Sequence, residues 1–372
     1  MNNPIESSGE RKKMKMALPH DPSPERMRGF SSDNYAGICP EAWAALEEAN
    51  RGHVPSYGDD PWTARAAEAL RNLFEAPCEV FFVFNGTAAN SLAIAHLCQS
   101  YHSVICASSA HIETDECGAP EFFTGGTKIL HVDGAQGKFD LGAVERLVTA
   151  RQDIHYPRPH VLSVSQSTEC GTVYSVEEMR AIHEVSLRHG LRVHMDGARF
   201  ANAVAALGVA PKEITWKVGV DVLCLGCTKI GAPAGEVVIF FDQGMAAEFD
   251  YRCKQAGQLA SKMRFLAAPL VGMLTGGAWL RHAAHANAMA ARLAEKLSTV
   301  PGLSLAFPPQ ANAVFINMPQ AVAERLARQG WHLYDFIGGA YRCMCAWDTT
   351  IEDVDAFILD VANAVVSSPN GK

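Results

Sequence analysis

The chain has 372 residues, of which 48% are hydrophobic and 19% are charged, and its formal net charge is −8. A chain of this size and composition is globular and long enough for one large hydrophobic core and a smaller second one. The negative balance, with no basic face concentrated in sequence, argues against a nucleic-acid partner. We therefore expect a small-molecule substrate.

Residues 1–29 are predicted to form a flexible N-terminal tail. They are polar and contain prolines, and the basic cluster at residues 11–15 is not followed by the apolar stretch that a signal peptide needs. No window of the chain approaches the ~18 uninterrupted apolar residues of a membrane-spanning helix. We expect a cytoplasmic protein with no membrane partner.

Eleven cysteines are scattered along the chain, an odd number that fits reduced thiols better than a secreted disulfide framework. Two close pairs stand out, Cys224 with Cys227 and Cys343 with Cys345. Four thiolates could hold zinc, but Cys224 lies in an apolar strand-like run and the second pair has a single intervening residue. No metal site is predicted.

The middle of the chain alternates short β-like runs with helical segments, which is typical of a mostly parallel sheet wrapped by helices. The run EVFFVF at residues 79–84 is predicted as a buried strand, followed by a helix over residues 87–99. A capping box from Ser175 to Glu178 predicts the start of a later helix, which Gly190 ends. The other predicted strands of this sheet, which covers residues 79–242, are 161–165, 191–195, 220–226 and 235–241.

The pattern changes beyond residue 262. An Ala-rich helix is predicted near residues 278–297, and strands at 313–317 and 341–347 are each followed by a helix. We therefore predict a large domain over residues 30–262 and a smaller α+β domain over residues 263–372.

Polar residues follow three of the predicted strands, at the sheet edge where open parallel sheets bind ligands. Gly86 and Thr87 open a helix whose free N–H groups favour a phosphate, although an ordinary turn capped by Thr87 fits equally well. Asp196 needs a cationic or N–H partner, which a protonated pyridine nitrogen or a neighbouring arginine would supply. Lys229 follows a buried-looking strand, so it is either a desolvated amine able to form a Schiff base or a surface lysine.

A phosphate-binding turn, an aspartate for a pyridinium and a lysine for an aldehyde are together the requirements of pyridoxal 5'-phosphate. At this point the chain resembles the low-specificity L-threonine aldolases and phenylserine aldolases, which have the aspartate-aminotransferase fold, fold type I of the pyridoxal-phosphate enzymes. The resemblance runs from about residue 30 to the C-terminus. The segments that carry it are SDNYAG (32–37), YGDDP (57–61), NGTAAN (85–90), SSAHIETDECGAPEF (108–122), DIHYPRP (153–159), HMDGARFANA (194–203), TKIGAPAGE (228–236) and YRCMCAWDT (341–349).

The resemblance implies roles for particular residues around the cofactor. Lys229 would be the lysine that holds the cofactor covalently, and Asp196 the partner of its ring nitrogen. Gly86 and Thr87 would bind the phosphate. His111 is similar in position to a histidine that stacks on the cofactor ring.

Other roles implied by the resemblance concern the substrate. Ser32, Arg199 and Arg342 match residues that hold its carboxylate, and the guanidinium of Arg199 would make a two-point contact. His155 matches a second histidine on the substrate side. Tyr57 matches a tyrosine that reaches in from another subunit, so a homodimer or homotetramer with active sites at the subunit interfaces is expected.

The expected activity is a carbon–carbon lyase that cleaves β-hydroxy-α-amino acids, such as L-threonine, L-allo-threonine and phenylserine, to glycine and an aldehyde. His111 and His155 are the candidate bases for the hydroxyl proton, and a bound water is a third. The alternatives are another enzyme of fold type I, a β-eliminating lyase or an aminotransferase, and a non-catalytic binding module on the same fold.

Overall fold

The computed structural model of the protein describes residues 29–366, with the backbone alone described at Ile337. The predicted tail over residues 1–29 therefore lies almost wholly outside the described residues. Within them, the helices are α1 (Pro40–Ala49), α2 (Pro61–Phe74), α3 (Gly86–Leu97), α4 (His111–Thr114), α5 (Ala119–Thr124), α6 (Leu141–Ala150), α7 (Val176–His189), α8 (Phe200–Leu207), α9 (Phe249–Gln255), α10 (Arg264–Leu274), α11 (Ala278–Leu297), α12 (Gln320–Arg328) and α13 (Ile351–Val366).

The strands form two separate sheets. The larger sheet contains β1 (Glu79–Val83), β2 (His102–Ala107), β3 (Lys128–Val132), β4 (Arg158–Ser165), β5 (Arg192–Gly197), β6 (Val222–Leu225) and β7 (Glu236–Phe240). The smaller sheet contains β8 (Ser304–Leu305), β9 (Ala313–Asn317), β10 (Tyr334–Asp335) and β11 (Tyr341–Met344).

The larger sheet has the order β1-β7-β6-β5-β4-β2-β3. Strands β3, β2, β4, β5 and β6 pair in parallel, whereas β7 runs antiparallel to both of its neighbours, β6 and β1. Six strands therefore point the same way, and their carboxyl ends share one edge. The side-by-side register of Ser165, Asp196 and Cys224 marks that edge in β4, β5 and β6.

Most of the predicted elements are confirmed. The capping box is formed, because Ser175 Oγ accepts from the Glu178 N–H while the Glu178 side chain accepts from the Ser175 N–H, and Gly190 ends the helix with φ 64°. Strands β2 and β3 were not predicted. Every residue of β2 is buried, yet its sequence HSVICA begins with two polar residues, which hides the strand from a search for apolar runs.

The C-terminal part has its own antiparallel sheet and core. β9 lies between β8 and β11, and α11, α12 and α13 contribute buried side chains to this second core. Helix α10, beyond residue 262, instead buries residues such as Leu270 and Met273 in the core of the large sheet. The boundary near residue 263 stays a prediction.

Two further findings concern the classes of protein considered from the sequence. Among the helices of residues 29–366, none is both long enough and apolar enough to cross a membrane. All eleven cysteines lie in described positions, and each is a free thiol.

Candidate active site

A cavity of about 290 Å³ opens at the carboxyl edge of the large sheet. It is reached by the segments that follow β1, β2, β5 and β6, because the carboxyl ends of these strands share this edge of the sheet. Its lining includes Gly86, Thr87, Asn90, His111, Asp196, Thr228, Lys229 and Glu236. A smaller cavity of about 60 Å³ shares five of these residues and adds Glu116, Ser165, Ser167, Glu169 and Arg199.

Asp196 is the penultimate residue of β5 and a buried carboxylate, with 7% of the residue exposed. Its Oδ1 accepts from the Ala198 N–H at 2.9 Å, and its Oδ2 accepts from Asn90 Nδ2 at 2.9 Å. These two bonds hold the carboxylate in one orientation at the cavity wall. Asn90 lies on α3, so this helix is tied to the end of β5.

His111 begins α4, after β2, and is tied to a buried acid. Its Nδ1 lies 2.9 Å from Glu116 Oε1, which also accepts from Asn90 Nδ2 at 2.8 Å. The hydrogen bond with Glu116 raises the pKa of His111 above its ordinary value, against the opposing effect of burial. Burial likewise raises the pKa of Glu116. The structure therefore holds the His111 ring in place through the nitrogen that faces Glu116.

Lys229 lies in a short 3-10 turn over Thr228–Ile230, directly after β6. The turn can approach the end of β5 because residue 226 is glycine: a Cβ there would lie 2.3 Å from the Ala198 carbonyl oxygen. Glu236 of β7 fastens the turn, since its carboxylate accepts from the Cys227 N–H and, at 2.5 Å, from Thr228 Oγ1. Burial raises the pKa of Glu236.

The helix mouth expected to hold a phosphate is formed by α3. Asn85, and not Thr87, is the N-cap, because Asn85 Oδ1 accepts from the Ala88 N–H at 2.9 Å. The Ala89 N–H is bonded to the Asn85 carbonyl oxygen at 3.1 Å. Gly86 and Thr87 come before these two residues, at the N-terminus of α3, and both line the cavity. Their N–H groups have no hydrogen-bond acceptor among the described residues and are available to a ligand.

Arg199 is paired with an acid of its own chain. Its Nε and Nη2 already bond both carboxylate oxygens of Asp33, at 2.7 and 2.9 Å, so this fork is not available for a two-point contact with a substrate carboxylate. Burial alone would raise the pKa of Asp33, but the charge and hydrogen bonds of Arg199 outweigh it and lower that pKa. The end of the guanidinium, with both N–H groups of Nη1 and the second N–H of Nη2, is left for a ligand, so a two-point contact with a substrate carboxylate stays a prediction.

Arg342 and Ser32 lie beside this ion pair. Arg342 is on β11, where burial, followed by the like charge of Arg199, lowers its pKa. Its buried Nε has no hydrogen-bond partner within the described residues. Ser32 immediately precedes Asp33, and its Oγ accepts from the Asn34 N–H at 3.2 Å. Ser32, Arg199 and Arg342 are thus brought to one side of the site.

Two predicted residues are not brought together with the others in one chain. His155 is exposed and lies three residues before β4 begins, at the amino edge of the sheet, whereas the cavity lies at the carboxyl edge. Tyr57 is 49% exposed, with Lys254 Nζ 4.7 Å from its ring centroid. Neither residue lines either cavity, so a role of either at the site stays a prediction.

Five residues of the site were missed in the sequence: Asp33, Asn90, Glu116, Glu169 and Glu236. Glu169 offered a signal that was not used, because it follows a predicted strand end by four residues, as the other site residues follow theirs. The partnership of Asp33 with Arg199 spans 166 positions and has no local signal.

Comparison with known proteins assigns the family. A family model described as beta-eliminating lyase matches residues 29–321. The low specificity L-threonine aldolase of Pseudomonas aeruginosa is 59% identical over 333 residues, which cover 89% of this chain and 96% of that protein. The chain belongs to the low-specificity L-threonine aldolase family. A second member of this threonine aldolase family, from a Pseudomonas species, is 56% identical and aligns over 92% of this chain and 99% of its own length.

Solved structures agree with this family. The threonine aldolase of Leishmania major has a TM-score of 0.85 and 26% identity, and the match covers 90% of this chain and 99% of that one. Mouse CSAD, at 15% identity and a TM-score of 0.71, shares the fold alone. The predicted fold type I, with its mostly parallel sheet, is confirmed.

Proposed function

We propose that this chain is a pyridoxal-phosphate-dependent lyase that cleaves the Cα–Cβ bond of β-hydroxy-α-amino acids, yielding glycine and an aldehyde. The proposed substrates are L-threonine, L-allo-threonine and phenylserine. The observation that carries the proposal is that Lys229, Asp196 and His111 line one cavity at the carboxyl edge of the sheet. Membership of the threonine aldolase family supports the same reaction.

The residues of the cavity fit pyridoxal phosphate in their chemistry. They include an amine, a buried carboxylate, an imidazole and a helix N-terminus with N–H groups to spare. Three lining residues also carry buried polar atoms without a partner among the residues described: Asn90 Oδ1, Ser167 Oγ and Glu169 Oε2. Since such atoms cost about 1–3 kcal/mol each when left unpaired, their grouping at one place supports a bound polar ligand.

Each residue would have a definite task toward the cofactor. Lys229 would bind its aldehyde carbon through the side-chain amine, and Asp196 would keep a proton on its ring nitrogen. Gly86 and Thr87 would bind the phosphate, and the His111 ring would stack on the cofactor ring. When bound, pyridoxal phosphate supplies an electron-withdrawing ring that accepts the electron pair of a bond to Cα.

The substrate carboxylate would be held by Ser32, Arg342 and the Nη1/Nη2 end of Arg199. Arg342 is the strongest candidate, because its unpartnered Nε and its desolvated charge favour an anionic partner. Holding the carboxylate fixes the rotation of the amino acid about its Cα–N bond. That rotation decides which bond to Cα is aligned to break.

We also infer that the enzyme is a cytoplasmic homodimer or homotetramer. His155 and Tyr57 are exposed and line neither cavity of their own chain, which leaves both available to complete the site of a second copy. The proposed partners are thus a small amino acid and further copies of the same chain, with no nucleic acid and no metal.

Product analysis tests the proposal. Incubation with L-threonine should yield glycine and acetaldehyde, whereas β-elimination or transamination would yield a keto acid. Lys229→Ala should lower glycine formation to the background rate, while Lys128→Ala, at an exposed position on β3, should not change it. Borohydride treatment of the wild type, followed by peptide mapping, should locate the cofactor on Lys229. Full activity of Lys229→Ala would refute the assignment.

A further inference from the structure

Glu169 is a partly exposed acid with a buried Oε2 at the wall of the smaller cavity, and the roles assigned above do not use it. The cavity brings it together with Lys229, Asp196 and Arg199. It follows the end of β4, the strand next to the one that carries Asp196. Glu169 therefore lines the same small cavity as Lys229 and Asp196.

The two oxygens of Glu169 differ in their surroundings. Oε1 accepts from Ser165 Oγ at 2.7 Å and from the His111 N–H at 2.9 Å. Oε2 is buried and has no partner among residues 29–366. Because two donors already point at Oε1, a proton on this carboxyl group has to reside on Oε2.

The electrostatics of the site suit this group to proton transfer. Burial raises the pKa of Glu169 to about 7, with the Ser165 hydrogen bond opposing the rise and the Asp196 charge adding to it. A general base works best when its pKa lies near the operating pH. His111 is less suited, since its hydrogen bond with Glu116 favours the form that keeps the proton.

From this geometry we propose that Oε2 of Glu169 accepts the β-hydroxyl proton of the substrate when the Cα–Cβ bond breaks. The inference rests on the proposed function. The O–H bond is exchanged for a bond to Oε2, the carbon–oxygen bond becomes the carbonyl of the leaving aldehyde, and the electron pair of the broken bond stays with Cα. Oε2 later releases its proton to water, and Cα takes one up from water, so the glycine and aldehyde account for all atoms.

Glu169→Gln is the direct test, because it keeps the size of the side chain and an acceptor for Ser165 and His111 but cannot take up the proton. We expect kcat for L-threonine to fall roughly 10²- to 10⁴-fold, with KM and cofactor content unchanged. Glycine lacks a β-hydroxyl, so exchange of its α-proton with D₂O, followed by NMR, should persist. Glu113→Gln is the matched control: Glu113 lies 3.4 Å from His131 and does not line either cavity.

A readout that does not depend on turnover is an infrared pH titration of the protein. The wild type should show a protonated-carboxyl band that disappears as the pH rises through about 7, and Glu169→Gln should lack it. Ser165→Ala removes a hydrogen bond that lowers the Glu169 pKa. It should therefore move both the band and the acidic limb of the kcat profile to higher pH, which keeps the test valid even if Glu169→Gln fails to fold.

The possible results separate the two proposals. A wild type that forms glycine together with a Glu169→Gln variant of unchanged kcat and pH profile would overturn the role of Glu169 and leave the lyase assignment standing. An acidic limb that does not move in Ser165→Ala would overturn it as well. A wild type that forms no glycine from any β-hydroxy amino acid would overturn the proposed function, and the base with it.

Discussion

Two arginine–aspartate pairs of the same geometry lie at opposite edges of the large sheet. At the carboxyl edge, Arg199 bonds Asp33 through Nε and Nη2 at 2.7 and 2.9 Å. At the amino edge, Arg151 bonds Asp153 through the same atoms at 3.0 and 2.8 Å. The first aspartate is 1% exposed, whereas the side chains of the second pair are 49% and 45% exposed.

The same contrast holds for the cavities. The amino edge has the larger cavity, about 640 Å³, whose lining includes the exposed arginines 151, 158 and 188. The carboxyl edge has less room but contains buried acids and unpartnered polar atoms. Burial makes charges respond strongly to a ligand, because the surrounding medium screens them little. Volume alone would therefore have indicated the wrong edge.

The largest expected effect comes from removing the acid of each pair. Asp33→Asn leaves the Arg199 charge buried without its counter-ion and should lower the free energy of unfolding by about 3 kcal/mol. Asp153→Asn should leave it unchanged, because exposed ion pairs contribute little. Urea denaturation of both variants measures this, and equal effects would show that the two edges do not differ as described.

The pH dependence sharpens the same prediction. The pKa of Asp33 is lowered in the folded chain, so the unfolded chain binds more protons at low pH. The stabilisation is present above the ordinary value of 3.8 and is lost as the pH falls through the lower folded value. Asp33→Asn should therefore lose less stability than the wild type on acidification.

A smaller effect is expected from removing one arginine at each edge. Arg342→Ala should raise KM for threonine roughly 10- to 100-fold, since a hydrogen bond to a charged group contributes about 1.5–3 kcal/mol. Cofactor content should be unchanged. Arg188, whose ion pair with Glu145 is exposed, is the control, and Arg188→Ala should have the wild-type KM. An unchanged KM in Arg342→Ala would contradict its contact with the carboxylate.

The smallest effect concerns the titration of histidines at the two edges. Burial, with the positive charges of His102 and Arg158, lowers the pKa of His160 to about 4. The pKa of His111, at the other edge, is raised by Glu116. NMR titration of the imidazole protons should separate the two signals in this order. Glu116→Gln should move the His111 midpoint downward and leave that of His160 in place.

Much of the site was open to prediction because its signals are local. Asp196 and Lys229 each follow an apolar run within a few residues, and the edge at which parallel strands end is known in advance. The same rule applies to His155. Because it precedes the strand predicted at residues 161–165, the sequence places it at the amino edge of the sheet. The DIHYPRP motif that carries the family resemblance does not by itself indicate at which edge of the sheet His155 lies.

The parts that escaped prediction depend on contacts between distant segments. The Nε/Nη2 side of Arg199 is bonded to Asp33, near the start of the chain. Asn90 bonds both Asp196 and Glu116, which lie 106 and 26 positions away in sequence. Strand β2 is buried on both faces, and the residue types in its own sequence do not indicate this burial. Pairings of this kind are selected by the packed fold and leave no spacing that a single sequence reveals.

Phe30 anchors the start of the described chain in the C-terminal core. Its ring lies 5.7 Å from that of Trp331 and 5.0 Å from that of Phe357, and its carbonyl oxygen accepts from the Met344 N–H at 2.8 Å. Ser32 and Asp33 follow within three residues, so the segment that approaches the substrate carboxylate is anchored in the C-terminal part. A shortened version of this enzyme that begins after Phe30 would lose this anchor. The distance between the segment that contains Ser32 and Asp33 and the side chain of Lys229 would then no longer be fixed.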